Sequence, residues 1–192
     1  ISIQRILLHE DIADRFIERL KTNVESLKVG DPMDPDTDVG PLITRGDRDR
    51  VKEWVDEAVA GGAELVTGGE LVDEDRCLAP TLLRHPSREA KVWCEEIFGP
   101  VATIDTFSDF DEALKMANDS KFGLQAGVFT RDIGRGLKAG NTLEFGGVLI
   151  NEVPTFRADQ QPYGGVEDSG NTREGPASSV YELTDERMVT LQ

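Results

Sequence analysis

The feature that most constrains the fold is an alternation of short apolar runs with segments of helical periodicity. The run from Ile3 to Leu8 is typical of a strand that is buried on both faces. Asp11 is in position to cap a helix after it, and apolar residues follow at helical spacing (Ile12, Phe16, Leu20, Val24 and Leu27). Further strands are predicted over 63–67, 78–83, 101–107, 123–129 and 145–150. Strands separated by helices predict an α/β fold with a mainly parallel sheet flanked by helices.

The end of the chain has a different pattern. A turn-rich segment covers residues 151–178, and the alternation from Val180 to Leu191 predicts a final strand. No internal repeat or low-complexity linker interrupts the sequence, so we expect one domain over residues 1–192. A strand that begins at the first residue, without a preceding turn or cap, indicates a chain cut from a larger protein.

The composition is strongly acidic. Lysine and arginine number 21 against 37 aspartates and glutamates, which gives a net charge of −16 and argues against a nucleic-acid partner. The acids are spread along the chain, as expected of a halophilic protein in a salty cytoplasm; an ordinarily acidic enzyme is the alternative. The apolar runs are too short for a membrane helix, and no secretory signal pattern opens the chain. These features predict a cytoplasmic protein.

The segment VWCEEIFGPVAT, residues 92–103, places two adjacent carboxylates before an apolar and rigid turn. Glu96 offers two acceptor oxygens, which suit the paired hydroxyls of a ribose. Phe98 offers a flat apolar face, while Gly99 permits close backbone approach and Pro100 stiffens the turn. On these residues alone, a cofactor clamp and a solvated turn both remain open.

A second dense segment, NEVPTFRADQQPYGGVEDSGNTREG, follows a predicted buried strand at residues 151–175. Loops in this position commonly carry the site residues of α/β enzymes. Phe156 and Tyr163 could wall an apolar pocket, and the planar fork of Arg157 suits an anionic substrate group. The alternative is that the two aromatic residues anchor the loop and Arg157 pairs with Asp159.

Other catalytic patterns are missing from the sequence. It contains no phosphate-binding loop and no GxSxG motif. Cys94 lies beside two acids that disfavour a thiolate, and Cys77 follows an acidic loop, so neither is predicted to be a nucleophile. The cysteines and the isolated His9 and His85 form no metal-ligand spacing, and no metal is expected.

Five segments together resemble the C-terminal, catalytic-domain portion of the NAD(P)-dependent aldehyde dehydrogenases. They occur in the order of that family and span nearly the whole chain. The segments are ISIQRILLHEDIADRFIERL (1–20), LKVGDPMDPDTDVGPLI (27–43), EEIFGPV (95–101), FGLQAGVFTRD (122–132) and PYGGVEDSG (162–170).

The resemblance implies roles for several residues. In the family, the second acid of EEIFGP binds the ribose next to the nicotinamide and the phenylalanine packs near the nicotinamide ring, which assigns NAD or NADP binding to Glu96 and Phe98. The aromatic positions of the substrate pocket fall on Tyr163 and Phe156, and Ile1 lines the same pocket. Arg157 lies in a TFRAD variant of the loop, and its role in substrate recognition is our hypothesis.

The resemblance also implies what the chain lacks. The family's nucleophilic cysteine is expected immediately before Ile1, with the general base, the oxyanion-hole asparagine and the NAD-binding domain further upstream. The parent protein would oxidise an aldehyde to a carboxylic acid through a cysteine thioester, and this fragment alone would be inactive. Two positions depart from the family, which usually has lysine at Glu167 and glycine at Thr172. The threonine leaves the local backbone shape in question.

Alternatives remain within the same fold. One is a non-catalytic assembly relative, because the C-terminal strand of the family builds the dimer and residues 178–192 would form such an oligomerisation tail. A homodimer or homotetramer is expected in either case. Another is an acyl-phosphate or acyl-CoA reductase. For an aldehyde dehydrogenase, Arg157 favours short polar or anionic aldehydes such as lactaldehyde, glyceraldehyde 3-phosphate or succinate semialdehyde.

Overall fold

The computed structural model describes residues 2–74 and 76–192, which form alternating strands and helices. Ile1, a predicted pocket residue, lies outside the described residues. The described chain divides into two compact units, Ser2–Ala113 and Leu114–Gln192. The expectation of one domain over 1–192 stays a prediction.

The first unit is built on a four-stranded mixed sheet in the order β1-β6-β5-β2. Neighbours β1 and β6, and β5 and β6, are parallel, whereas β2 pairs antiparallel with β5. The short strands β3 and β4 pair separately. The elements are β1 (Arg5–His9), α1 (Glu10–Glu25), α2 (Arg45–Ala60), β2 (Glu64–Thr67), β3 (Leu71–Val72), β4 (Cys77–Leu78), β5 (Thr81–Arg84), α3 (Lys91–Cys94), β6 (Val101–Phe107) and α4 (Phe110–Asn118), which contains the boundary between the units.

The sheet of the first unit has a hydrophobic cluster on each face. Because successive strand residues point to opposite faces, Leu83 joins one cluster and Leu82 the other. The Leu83 cluster includes Val51 and Val55 of α2, and the Leu82 cluster includes Ala13 and Ile17 of α1. Helices thus cover the sheet on both sides, which confirms the predicted α/β class.

The start of α1 differs from the prediction. His9 caps the helix, because its Nδ1 atom accepts a hydrogen bond from the Asp11 N–H at 3.2 Å. The buried stripe contains Ala13 and Ile17, one position after the predicted Ile12 and Phe16, which are exposed. The strand β1 runs directly into the helix at Glu10. Each helical residue turns the chain by about 100°. The end of β1 therefore determines which face of α1 is buried, and apolar periodicity alone does not identify that face.

The second unit contains two small sheets. β8 and β9 are parallel and are connected through α5, whereas β10 pairs antiparallel with β7. Asp132 caps α5 by accepting hydrogen bonds from the N–H groups of Gly134 and Arg135. The elements are β7 (Phe122–Gly123), β8 (Gln125–Val128), α5 (Ile133–Thr142), β9 (Gly147–Ile150), β10 (Val166–Glu167) and α6 (Pro176–Leu183).

The C-terminal strand predicted over Val180–Leu191 is wrong for this chain. Residues 176–183 form helix α6, and residues 184–192 form neither a helix nor a strand. Proline at the first helical position favours a helix start, and Val180 and Leu183 are three residues apart, which is a helical spacing, whereas Tyr181 and Leu183 alternate as in a strand. The oligomerisation role of residues 178–192 stays a prediction. In the described part of the chain, none of the helices has the length and apolar character needed to cross a bilayer.

Candidate functional site

The first candidate surface is the Glu96 turn, defined as residues 95–100 between α3 and β6. Ile97 is 1% exposed and packs in the cluster with Val92 and Val101. Glu96 and Phe98, on either side of it, are exposed. The turn therefore anchors one side chain in the core and presents the two predicted cofactor residues to solvent.

The backbone of the Glu96 turn is in an unusual conformation at Phe98. This residue has φ of 53° and its side chain is 68% exposed. The left-handed conformation costs a bulky residue roughly 1–2 kcal/mol and persists where the surrounding structure fixes it. At Gly99, a Cβ atom would lie 3.0 Å from Val51 Cγ1, so the core leaves little space for a side chain at this position. An exposed aromatic ring in a strained turn is a feature of a binding surface.

The Glu96 carboxylate has no hydrogen-bond or ion-pair partner among residues 2–74 and 76–192. The carbonyl of the next residue, Ile97, accepts a hydrogen bond from Arg50 Nη2 at 3.2 Å. Both carboxylate oxygens of Glu96 therefore remain available as acceptors on a fixed backbone. Such a group, two residues from an exposed flat ring, fits a ligand with adjacent hydroxyls and a planar ring.

Gln4 is a residue of this surface that sequence reasoning missed. Its Nε2 atom donates to the carbonyl of Glu95 at 2.6 Å, and its Oε1 atom accepts from the N–H of Ile97 at 3.0 Å. The two partners flank Glu96. No local sequence pattern could have identified this contact, because more than 90 residues separate Gln4 from each of its two partners.

The second candidate surface is the Arg157 loop, defined as residues 151–175. Tyr163 and Glu174 form an antiparallel bridge, with backbone N–H to carbonyl distances of 2.9 and 2.6 Å. Gly164 approaches the neighbouring backbone closely, since a Cβ atom there would lie 2.2 Å from the carbonyl oxygen of Thr172. Thr172 is not among the described residues with positive φ, so this backbone accommodates a threonine there.

Two of the predicted pocket residues come together in the Arg157 loop. The Arg157 guanidinium lies over the Tyr163 ring, with its Cζ atom 4.3 Å from the ring centroid. Its Nη2 atom donates to Glu174 Oε2 at 2.9 Å, so the alternative pairing with Asp159 is wrong. The physical reason is the backbone bridge, which fixes Glu174 opposite Tyr163. Phe156, the third predicted residue, is 44% exposed.

Neither thiol has the surroundings of a nucleophile. Cys77 is buried, and burial together with the nearby carboxylate of Asp73 raises the pKa of its thiol. A raised pKa reduces the thiolate fraction at neutral pH. The Cys94 Sγ atom lies 3.7 Å from the carbonyl oxygen of Glu89. The neighbouring cation of Arg76 lowers the pKa of Cys77 by less than burial and Asp73 raise it.

Comparison with known proteins matches this chain to one protein family. The model of the aldehyde dehydrogenase family matches residues 1–189. A 3-sulfolactaldehyde dehydrogenase from Priestia megaterium is 42% identical over 191 residues, and the match covers 100% of this chain and 40% of that protein. A lactaldehyde dehydrogenase from Methanococcus aeolicus is 39% identical over 96% of this chain and 39% of its own length. The chain thus spans about 40% of the length of these relatives.

Solved structures agree with this match. Aldehyde dehydrogenase 21 from Physcomitrella patens, in complex with succinate, aligns with a TM-score of 0.87 at 41% identity, covering 92% of this chain and 36% of the other. Glyceraldehyde-3-phosphate dehydrogenase from Methanocaldococcus jannaschii, complexed with NADP, aligns with a TM-score of 0.90 at 39% identity, covering 96% and 40%. Betaine aldehyde dehydrogenase from Staphylococcus aureus, in complex with NAD+, aligns with a TM-score of 0.86 at 35% identity, covering 93% and 36%. The chain belongs to the aldehyde dehydrogenase family.

Proposed function

We propose that this chain is the catalytic-domain portion of an enzyme that oxidises an aldehyde to a carboxylic acid with NAD or NADP. The observation that carries the proposal is the Glu96 turn, where an unpaired carboxylate and an exposed aromatic ring occupy a fixed backbone. Solved relatives bind NAD+ or NADP. Both units would belong to the same catalytic domain, without the dinucleotide-binding domain.

The chain's own residues would orient the cofactor. Glu96 would accept hydrogen bonds from the ribose hydroxyls, and Phe98 would lie against the nicotinamide ring. When bound, the nicotinamide supplies the acceptor for the hydride that leaves the aldehyde carbon. Because Ile97 and Gln4 fix the backbone around Glu96, the carboxylate would position the ribose without a large entropic cost.

The nucleophile of the proposed reaction is assigned to the part of the relatives that this chain does not match. Neither described thiol is suited to the task, and we infer from the family resemblance that the cysteine would lie immediately before Ile1. The general base and oxyanion donor would come from the same unmatched part. The chain by itself would therefore be inactive.

The Arg157 loop supports a short polar or anionic aldehyde as substrate. Arg157 is 41% exposed at its side chain, and stacking on Tyr163 and pairing with Glu174 fix its guanidinium. The remaining N–H groups of the guanidinium suit a carboxylate, phosphate or sulfonate. Relatives named for 3-sulfolactaldehyde and lactaldehyde are consistent with this class.

A non-catalytic assembly role is the second candidate. The last residues expose many apolar side chains, which favours burial against a partner (Val180, Tyr181, Leu183, Met188, Val189 and Leu191). A homodimer or homotetramer would bury them in both proposals. A full-length dimer or tetramer without a cysteine at the expected position would support assembly alone, and a full-length monomer by sedimentation would remove the tail's proposed role.

The charge of −16 carries a separate proposal, that of a halophilic cytoplasmic protein. Screening by salt reduces repulsion among the distributed acids, so the melting temperature should rise when KCl increases from about 0.1 M to molar concentrations. Thermal denaturation of the full-length protein measures this. A melting temperature that stays level or falls would identify an ordinarily acidic enzyme.

The proposed function is tested with the full-length enzyme and the substitution Glu96→Gln. The amide keeps the size of the side chain but removes the charge and one acceptor, so the hydride step should slow about tenfold or more while the cofactor Kd changes less than about threefold. Single-turnover formation of reduced cofactor and a binding titration measure the two effects.

Glu95→Gln is the matched control for Glu96→Gln, because it removes the neighbouring charge from the same turn. We expect it to leave the hydride step nearly unchanged. Equal losses of rate and cofactor affinity in Glu96→Gln would contradict the positioning role, and a wild-type enzyme that oxidises no aldehyde would remove the proposed function itself.

A further inference from the structure

The side chain of Gln4 forms a reciprocal pair of hydrogen bonds around Glu96. Nε2 donates to the carbonyl of the preceding residue, Glu95, at 2.6 Å, and Oε1 accepts from the N–H of the following residue, Ile97, at 3.0 Å. One primary amide thus bonds to peptide groups on both sides of Glu96. The contact resembles pairing with a neighbouring strand, except that a side chain provides it.

The main chain of Gln4 is fixed independently of its side chain. Its carbonyl accepts from the backbone N–H of Thr103 at 2.8 Å and from Thr103 Oγ1 at 3.1 Å. Thr103 is fully buried in β6, the strand that follows the Glu96 turn. Gln4 therefore connects the start of β1 to the turn before β6 and to β6 itself.

We propose that Gln4 is a positioning residue for Glu96, an inference that rests on the proposed role of Glu96 in binding the cofactor ribose. Ile97 packs in the core, but that contact does not by itself fix the peptide groups that flank Glu96. The amide of Gln4 fixes both of them. It thereby sets the direction of an exposed carboxylate that has no described partner of its own. In this role Gln4 would act through Glu96 and not by contact with substrate or cofactor.

A purely structural role would have a different signature. Gln4 Nε2 also donates to the carbonyl oxygen of Val92, the second residue of α3, at 3.4 Å, so a purely structural Gln4 would serve only to satisfy backbone groups there. Loss of that role would lower stability without a selective effect on the reaction. A positioning role predicts that the hydride step slows in a folded protein, while thiol reactivity in the absence of cofactor does not.

The test uses the full-length enzyme with Gln4→Met, which keeps the length of the side chain and removes its donor and acceptor. We expect the single-turnover rate of hydride transfer to fall about tenfold, because small misplacements of reacting groups have effects of this size or larger. Alkylation of the nucleophilic cysteine by iodoacetamide without cofactor should stay within about twofold. Asn23→Leu, which removes an amide from an exposed position of α1, is the matched control and should leave both rates unchanged.

Hydrogen exchange provides a readout that does not depend on activity. In the cofactor-free protein, the N–H of Ile97 should exchange about tenfold faster in Gln4→Met, because its acceptor is gone. Gln4→Asn, too short to reach both peptide groups, should show the same two effects and replaces Gln4→Met if that variant does not fold. Loss of rate should also be smaller when Gln4→Met is combined with Glu96→Gln, because the two residues act on one step.

Three outcomes would overturn the proposal. Folded Gln4 variants with unchanged hydride transfer would show a structural role only. An equal loss of rate with and without Glu96→Gln would show that Gln4 acts independently of Glu96. A wild-type enzyme that transfers no hydride would remove both the proposed function and this inference. The measurement on the wild-type enzyme alone identifies that outcome.

Discussion

The Glu96 turn and the Arg157 loop both present exposed side chains, but they are fixed in different ways. In the turn, Ile97 is buried in the main core and Gln4 bonds to the backbone from more than 90 residues away. In the loop, Arg157, Tyr163 and Glu174 contact one another within 17 residues along the chain. The first surface depends on the core of its unit, and the second mainly on its own contacts.

This difference suits the two proposed tasks. A cofactor surface has a constant ligand, so fixing it to the core gives a constant geometry. A substrate surface changes with the substrate, and a loop with internal contacts can change its side chains without disturbing a core. Each of the following predictions separates a core-dependent effect from a local one.

The largest expected effect is on stability. Ile97→Ala removes a buried side chain from the core cluster and should lower the free energy of unfolding by about 3 kcal/mol. Val153→Ala, at an exposed position of the Arg157 loop, should change it by less than about 0.5 kcal/mol. Denaturant unfolding of the full-length protein measures both. Similar losses from the two substitutions would show that the loop depends on a core as much as the turn does.

The next effect is on substrate selection. Arg157→Ala should lower kcat/KM for an anionic aldehyde about tenfold to a hundredfold, because a hydrogen bond to a charged group contributes about 1.5–3 kcal/mol. A neutral aldehyde of similar length should lose less than about threefold. Steady-state kinetics with such a substrate pair measures the difference.

Arg157→Lys and Tyr163→Phe are the controls for Arg157→Ala. The lysine keeps the charge but loses the planar fork, so its effect should be intermediate. Tyr163→Phe keeps the ring beneath the guanidinium and should change little. If Arg157→Ala reduces activity equally for anionic and neutral aldehydes, the arginine stabilises the loop and does not recognise the charge of the substrate.

The two surfaces also differ in how far the sequence predicted them. The boundaries of β6 match the predicted strand at 101–107, and the motif located Glu96 and Phe98 on an exposed turn. Arg157 and Tyr163 were identified by residue type, but Glu174, their partner, required the backbone bridge to be known. Gln4 carried no signal, because its role arises from a contact between distant segments. The C-terminal segment was mispredicted because Tyr181 and Leu183 alternate as in a strand, whereas Val180 and Leu183 also have helical spacing.

The smallest expected effect concerns the strain at Phe98. Because this residue adopts φ of 53° and is largely exposed, its ring contributes little to folding while its Cβ atom is unfavourable there. Phe98→Gly should therefore be more stable than Phe98→Ala by about 1 kcal/mol, since only glycine adopts this conformation without strain. Denaturant unfolding of the full-length protein measures this difference.

Measurements of activity separate the effect of backbone strain at Phe98 from the effect of losing its ring. Both Phe98 variants lack the ring, so both should slow hydride transfer to a similar extent, although only Phe98→Gly relieves the backbone. A Gly variant no more stable than the Ala variant would mean that the turn carries no strain at Phe98. If instead Phe98→Gly is the more stable and Phe98→Ala keeps the wild-type rate, the left-handed residue serves only to shape the turn. Greater stability together with a lower rate would mean that the Glu96 turn retains an unfavourable residue because the ring is needed at the cofactor.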